Sequence, residues 1–268
     1  MTTIEARGEA FDIGRVVTRT FGSIGRNAAT FFLLALGLVG LPQVVLGYLQ
    51  VQLNPGAAGL AATRTPGEMI TYGLLVIVIA LATIVLSALL QAAVIRGVVE
   101  DLNGRRVRIA ECLSAGMSVA LPVIAISIMV GLGIFAGLIL LIVPGIILAI
   151  RWIVAIPTRV MEQPGVFAAM GRSAELTKGS RWAIFAVVLV FAILVWVLTA
   201  VVLGSAAALS IAAPTSAATF VGVPYLVLSG ILNAVTSTVS SAGVAAIYCE
   251  LRAIKEGASP SSLAAVFD

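Results

Sequence analysis

The chain has 268 residues, of which 60% are hydrophobic and only 10% charged, with 16 Lys+Arg against 12 Asp+Glu, two cysteines and no histidine. A soluble domain carries about a quarter charged residues, so this composition excludes one. The lack of histidine excludes His general-base chemistry, His haem ligation and the usual zinc and copper centres.

In chain order, the first 27 residues contain Glu5, Glu9, Asp12 and the arginines Arg7, Arg15, Arg19 and Arg26. No apolar core precedes Ala28, so this stretch does not read as a cleaved signal. From Phe11 to Asn27, Ile13, Val17 and Ile24 share one helical face with Phe21 beside them, and Arg15, Arg19 and Arg26 share another. That spacing predicts a basic amphipathic helix lying in the headgroup plane. Its glycines and threonines make it weak in water, so membrane contact has to stabilise it.

Six apolar runs follow, at about 28–53, 69–97, 122–142, 145–161, 181–209 and 220–248. A hydrocarbon core of roughly 30 Å needs about 20 apolar residues per helix. The runs are continuous rather than alternating, which makes them helices and not barrel strands. The expected fold is therefore an all-α polytopic membrane protein, with six transmembrane helices paired as three hairpins. Gly37, Gly40, Pro42 and Gln43 predict a kink in the first helix, and Gln91 puts an amide in the second. Gly133 and Gly137 form a small-residue contact in the third, suited to packing or dimerisation. Val143-Pro144-Gly145 predicts a tight turn between the third and fourth.

A three-fold pattern overlies these runs. Each hairpin is preceded by a short interfacial segment: Phe11 to Asn27, Val107 to Ala120 and Val166 to Gly179. Each ends on an Arg-to-Glu step and then a glycine: Arg96, Glu100, Gly104; Arg159, Glu162, Gly165; Arg252, Glu256, Gly257. Three or four residues is one helical turn, so each step allows a side-chain pair, and each glycine a helix stop. The chain thus reads as one transmembrane domain over 1–268, with repeats at about 8–104, 105–165 and 166–257 and a tail at 258–268.

Lys and Arg in short connections set orientation. The first segment and the connections after the second, fourth and sixth helices collect nearly all of them, including Arg105, Arg106, Arg108, Arg172, Lys178, Arg181 and Lys255. The opposite side holds only Arg64 and Glu68 among charged residues. Both termini are therefore expected in the cytoplasm. Cys112 and Cys249 map to that side and are expected to be reduced thiols.

Within the helices, Arg151 is the sharpest residue. It precedes Arg159 by eight positions, or about 12 Å along one straight helix. A central Arg costs about 2.5–3.5 kcal/mol on insertion, and the seven Leu, Ile and Val neighbours of that helix return roughly 3 kcal/mol. Arg151 therefore needs a relief: snorkelling, a polar neighbour on another helix, or an anionic headgroup or substrate. In the sixth helix, Ser229, Asn233, Ser237 and Ser241 step by four into a polar stripe, which reads as helix packing or as the lining of a pathway. No Asp or Glu lies deep in any of the six runs, against a proton- or sodium-coupled transporter. No phosphate-cradling loop, metal cluster or serine motif with a base is present either, and a serine hydrolase using Lys178 or Arg172 is disfavoured.

The stretch Pro144 to Trp182 carries a resemblance. Pro144, Gly145, Arg151, Pro157, Glu162, Gly165, Arg172, Ser173, Leu176, Thr177, Lys178 and Gly179 follow the pattern of the YciC-like integral membrane family, and Tyr248 to Gly257 looks like its last helix. That family is related to the membrane domain attached to some glycerophosphodiester phosphodiesterases. The resemblance implies six helices in a bacterial inner membrane and a part in envelope integrity or lipid homeostasis. No stretch of these 268 residues is polar and long enough to hold the phosphodiesterase domain itself.

Together these readings lead to a non-catalytic inner-membrane protein without cofactor or metal. It would bind lipids, anionic ones above all, or a membrane-protein partner or second copy, and not nucleic acid. Arg151, Arg15, Arg19, Arg26, Arg172, Lys178 and Arg181 are its candidate lipid or ligand contacts. The alternative is a small transporter or lipid translocator using Arg151 and the polar stripe.

Overall fold

A computed structural model describes residues 11–53, 66–212 and 218–257. Arg64, the tail 258–268 and the beginning of the first repeat lie outside the described residues. Every regular element among the described residues is helical. Among the described residues, six spans are long and apolar enough to cross a membrane, as expected for a multi-pass membrane protein.

Helix α1, Ile13–Arg26, starts where the Asp12 carboxylate accepts hydrogen bonds from the Gly14 and Arg15 amides, a side-chain N-cap. Asn27 ends it. The first span is then α2 (Ala28–Ala35), a π-helical turn (Leu36–Gly40) and α3 (Leu41–Leu53). Pro42 lacks an N–H and its ring crowds the carbonyl four residues back, which accounts for the wide turn just before it. The glycine there has a second use: a Cβ on Gly40 would lie 3.2 Å from the carbonyl oxygen of Gly230.

Helix α4, Pro66–Leu102, and α5, Ile109–Leu140, form a tight antiparallel pair. Gly97 faces Cys112, and a Cβ on Gly116 would meet the Leu89 carbonyl at 3.0 Å. The expected second interfacial segment is not separate. Residues 109–120 are the first turns of α5 and run unbroken through Pro122 into the membrane span. Nothing in that stretch breaks a helix; Glu111 favours its N-terminus, and Cys112, Gly116 and Val119 bury a face against α4.

The turn into the fourth span falls at Leu141, whose backbone is extended, and not at Val143-Pro144-Gly145. Pro144 is instead in the first turn of α6 (Ile142–Arg151), where no backbone N–H is required. Gly133 and Gly137 serve this hairpin: a Cβ on Gly133 would strike the Trp152 ring, and one on Gly137 would stand 2.9 Å from the Gly145 Cα. The fourth span is not one helix. It breaks at Trp152–Val154 and resumes as α7, Ala155–Glu162. Pro157 explains the break, because a proline fits the first turn of a new helix but not the middle of an old one.

Helix α8 (Val166–Leu176) covers most of the expected third interfacial segment, and α9 (Arg181–Ala212) and α10 (Ala218–Glu256) follow. Helix α10 is the axis of the bundle. Its most apolar window is 56% buried, against 11–28% for the other spans. It touches α1, the first span, α4, α7 and α9. The expected pairing of the first and second spans is loose, and those spans meet mainly near the π turn and where Phe31 faces Gly97.

Candidate lipid-facing site at the charged end of the bundle

The end of the bundle where α1, α8 and the last turns of α4, α7 and α10 converge carries three ionic clamps. Glu250 of α10 is 1% exposed and holds both Arg15 (3.1 Å) and Arg19 (2.6 Å) of α1. Asp101 of α4 accepts from Arg26 (2.6 Å) and from the Asn27 amide (2.6 Å). The hydrogen bond to Asp101 raises the Arg26 pKa above its ordinary value. The third clamp centres on Arg172 of α8, which pairs with Glu162 (3.4 Å) and with Glu256. Glu162 also accepts the Tyr248 hydroxyl at 2.8 Å.

These clamps give four of the candidate lipid contacts, Arg15, Arg19, Arg26 and Arg172, acidic partners inside the chain. Of the partner acids, Asp101 and Glu250 belong to no local motif, and Glu162 and Glu256 were read only as partners of Arg159 and Arg252. Glu250 sits in the run AAIYCELRA, where a carboxylate beside apolar residues was the only hint that a distant cation must meet it. Of the Arg-to-Glu steps, Arg96–Glu100 (2.6 Å) and Arg252–Glu256 (2.7 Å) form as expected. Arg159 does not pair with Glu162; it donates to the Pro164 carbonyl at 2.7 Å. The glycine stops differ in the same place. Gly104 and Gly257 take left-handed conformations, but α7 ends on left-handed Gln163, and Gly165 is the N-cap of α8.

With its basic residues engaged, α1 shows an unexpected third face. Val16, Thr20 and Ser23 are buried against the bundle. Ile13 and Phe21 remain 37% and 44% exposed, and the Phe21 ring lies 6.2 Å from that of Phe191 in α9. The helix is thus pinned by its arginines and presents apolar side chains at the level of the span ends.

Arg151, Lys178 and Arg181 are exposed and form no ion pair or side-chain hydrogen bond among the described residues. Arg151 is not buried deep in one straight helix. The break at Trp152–Val154 separates it from Arg159, and its carbonyl accepts from Ser173 of α8 at 2.9 Å and from Thr177 just beyond it at 3.5 Å. It therefore lies beside α8. Arg181 opens α9 and, with Trp182 and Phe185, faces α6 across a groove of about 390 Å³.

The polar stripe of α10 has a different surrounding. Ser237 donates to the Asn233 side chain at 3.1 Å, and Ser229 to the Leu226 carbonyl at 2.9 Å. Ser237 and Ser241 also line a cavity of about 310 Å³ with Ser87, Gln91, Thr236 and Ser240, a polar recess between α4, α9 and α10. Close packing of α10 falls instead on its glycines, with Gly230 against Gly40 and Gly243 against Phe191. Among the described residues, no three His, Cys, Asp or Glu side chains converge as a metal-holding group.

No curated protein and no solved structure matches the chain. Residues 125–261, just over half of it, match the family described as the membrane domain of glycerophosphoryl diester phosphodiesterase. The match takes in the glycine-lined α5–α6 hairpin, the broken fourth span, α8 and the axial α10, and the chain belongs to that membrane-domain family.

Proposed function

We propose that this is a non-catalytic inner-membrane protein that binds lipids or partner proteins at its cytoplasmic face, in envelope or lipid homeostasis or as the accessory subunit of a membrane complex. The observation that carries this reading is how the charged end is spent. Asp101, Glu162 and Glu250, the carboxylates that acid–base chemistry would recruit, are each committed to arginines that pin α1 and α8 to the bundle. Remaining at that end are surface cations and the apolar side chains Ile13 and Phe21, a combination suited to anionic headgroups and acyl chains. The one-sided distribution of Lys and Arg supports cytoplasmic termini. Purification in a mild detergent, followed by mass spectrometry of what accompanies the protein, tests the reading. A retained lipid class or a stoichiometric partner is expected, and recovery of neither overturns it.

The polar recess favours a second reading, a small transporter or lipid translocator. Gln91 and five hydroxyls between three membrane-spanning helices could pass a polar group. Arg151 does not line that recess. Under this reading, Gln91→Leu abolishes substrate or lipid flux in proteoliposomes while the fold and any captured partner persist. Under the binding reading, no flux is there to lose.

A further inference from the structure

We infer that the groove between α6 and α9 seats an acyl chain of one anionic glycerophospholipid, with its phosphate held by Arg151, Lys178 and Arg181. This rests on the lipid-binding reading and gives it a place and a headgroup class. The groove wall is apolar: Ile146, Ile147 and Ile150 on α6 face Trp182 and Phe185 on α9, with Arg181 lining the same groove. Such a wall selects nothing by itself, because bilayer tails are as apolar as the isoleucines. Selection has to come from the end, and three separate elements bring a cation there. Arg151 follows Ile150 as the last residue of α6. The bond from the Ser173 hydroxyl to the Arg151 carbonyl holds the last turn of α8 against it, and Lys178 follows two residues beyond that helix. Gly179, at φ 96°, then turns the chain toward Arg181.

The electrostatics favour an anion. These three cations lack acidic partners among the described residues, whereas Arg15, Arg19, Arg26 and Arg172 all have one. The carbonyl end of α6 would ordinarily repel a phosphate, but the Ser173 hydroxyl occupies its Arg151 carbonyl. The amino end of α9, on the other wall, attracts one. Trp182, 85% exposed, sits where an amphipathic ring settles between tails and headgroups. A cationic end on an apolar slot matches an anionic phospholipid along its length; an apolar partner helix would leave the three charges unanswered.

The test reconstitutes the full chain into nanodiscs of mixed phosphatidylglycerol and phosphatidylethanolamine and counts retained lipids by native mass spectrometry. Wild type is expected to hold phosphatidylglycerol in preference. Arg151→Gln with Lys178→Gln and Arg181→Gln should hold at least about fivefold less, the effect of one cation near a membrane surface. Ile147→Trp keeps every charge but fills the groove; Ile147 is 47% exposed, so the bundle tolerates it, and it should lose the lipid as well. Arg105→Gln with Arg106→Gln removes two exposed cations from the connection after α4 and should change nothing. Equal loss in that control, or undiminished retention in the groove variants, overturns the site while leaving lipid binding in place. A protein partner displaced by Ile147→Trp overturns it in favour of a helix in the groove. Wild type retaining neither lipid nor partner overturns the broader reading too.

Discussion

Glu250 shows what a single buried charge asks of its neighbours. It is 1% exposed, and two arginines reach it from α1. Removing a partner from a buried pair leaves an uncompensated charge, which costs about 3–5 kcal/mol, whereas removing the charge itself costs less. Arg15→Gln with Arg19→Gln should therefore destabilise the protein by that amount, and Glu250→Gln by clearly less, as read from thermal denaturation in detergent. Both should release α1, which limited proteolysis around Gly25 would register. The opposite ranking would mean that the arginines act elsewhere. None of this was legible along the chain, because Arg19 and Glu250 are 231 residues apart and neither belongs to a local motif. Arg96 and Glu100 were legible as a pair because one helical turn joins them.

At the level of elements, the spans were readable wherever chemistry is continuous. Apolar runs of membrane length have one solution, and Gly37, Gly40 and Pro42 marked the π turn in advance. The break in the fourth span was not read, although Pro157 announced it, because the flanking residues stay apolar on both sides. The second interfacial segment was misplaced for a related reason. Its polar residues are also compatible with the end of a long helix, and only the contact of Gly116 with α4 decides between the two. Small residues carry the helix contacts, so their enlargement is the sensitive change. Gly137→Ala would press a methyl onto the Gly145 Cα at 2.9 Å, and Gly230→Ala onto the Gly40 carbonyl at 2.8 Å. Each should cost about 1–3 kcal/mol as overpacking, whereas Gly131→Ala, which meets nothing within 4 Å, should be neutral or slightly stabilising. Melting curves of the three variants check this ranking.

For the whole molecule, the one-sided charge makes a prediction about sidedness. Single cysteines introduced at Arg106 and at Ala62 should label from opposite faces of the membrane, Arg106 from the cytoplasm. Cys112 is buried, and Cys249, which is half-buried, should be replaced by Ala in both variants so that it does not label. Labelling of both from one face would overturn the six-span topology, and Arg106 labelling from outside would reverse the orientation. The bundle's axis has a further consequence, for biosynthesis. Helix α10 is the last described helix to leave the ribosome, yet it is the one around which the others gather, and it carries the acid that fastens α1. Until it emerges, Glu250 is not there for Arg19, and α1 lacks its main contact with the bundle. Closure of the Arg19–Glu250 clamp thus reports that the chain has been synthesised through α10, and a product truncated before α10 would expose an unfastened α1 to membrane quality control.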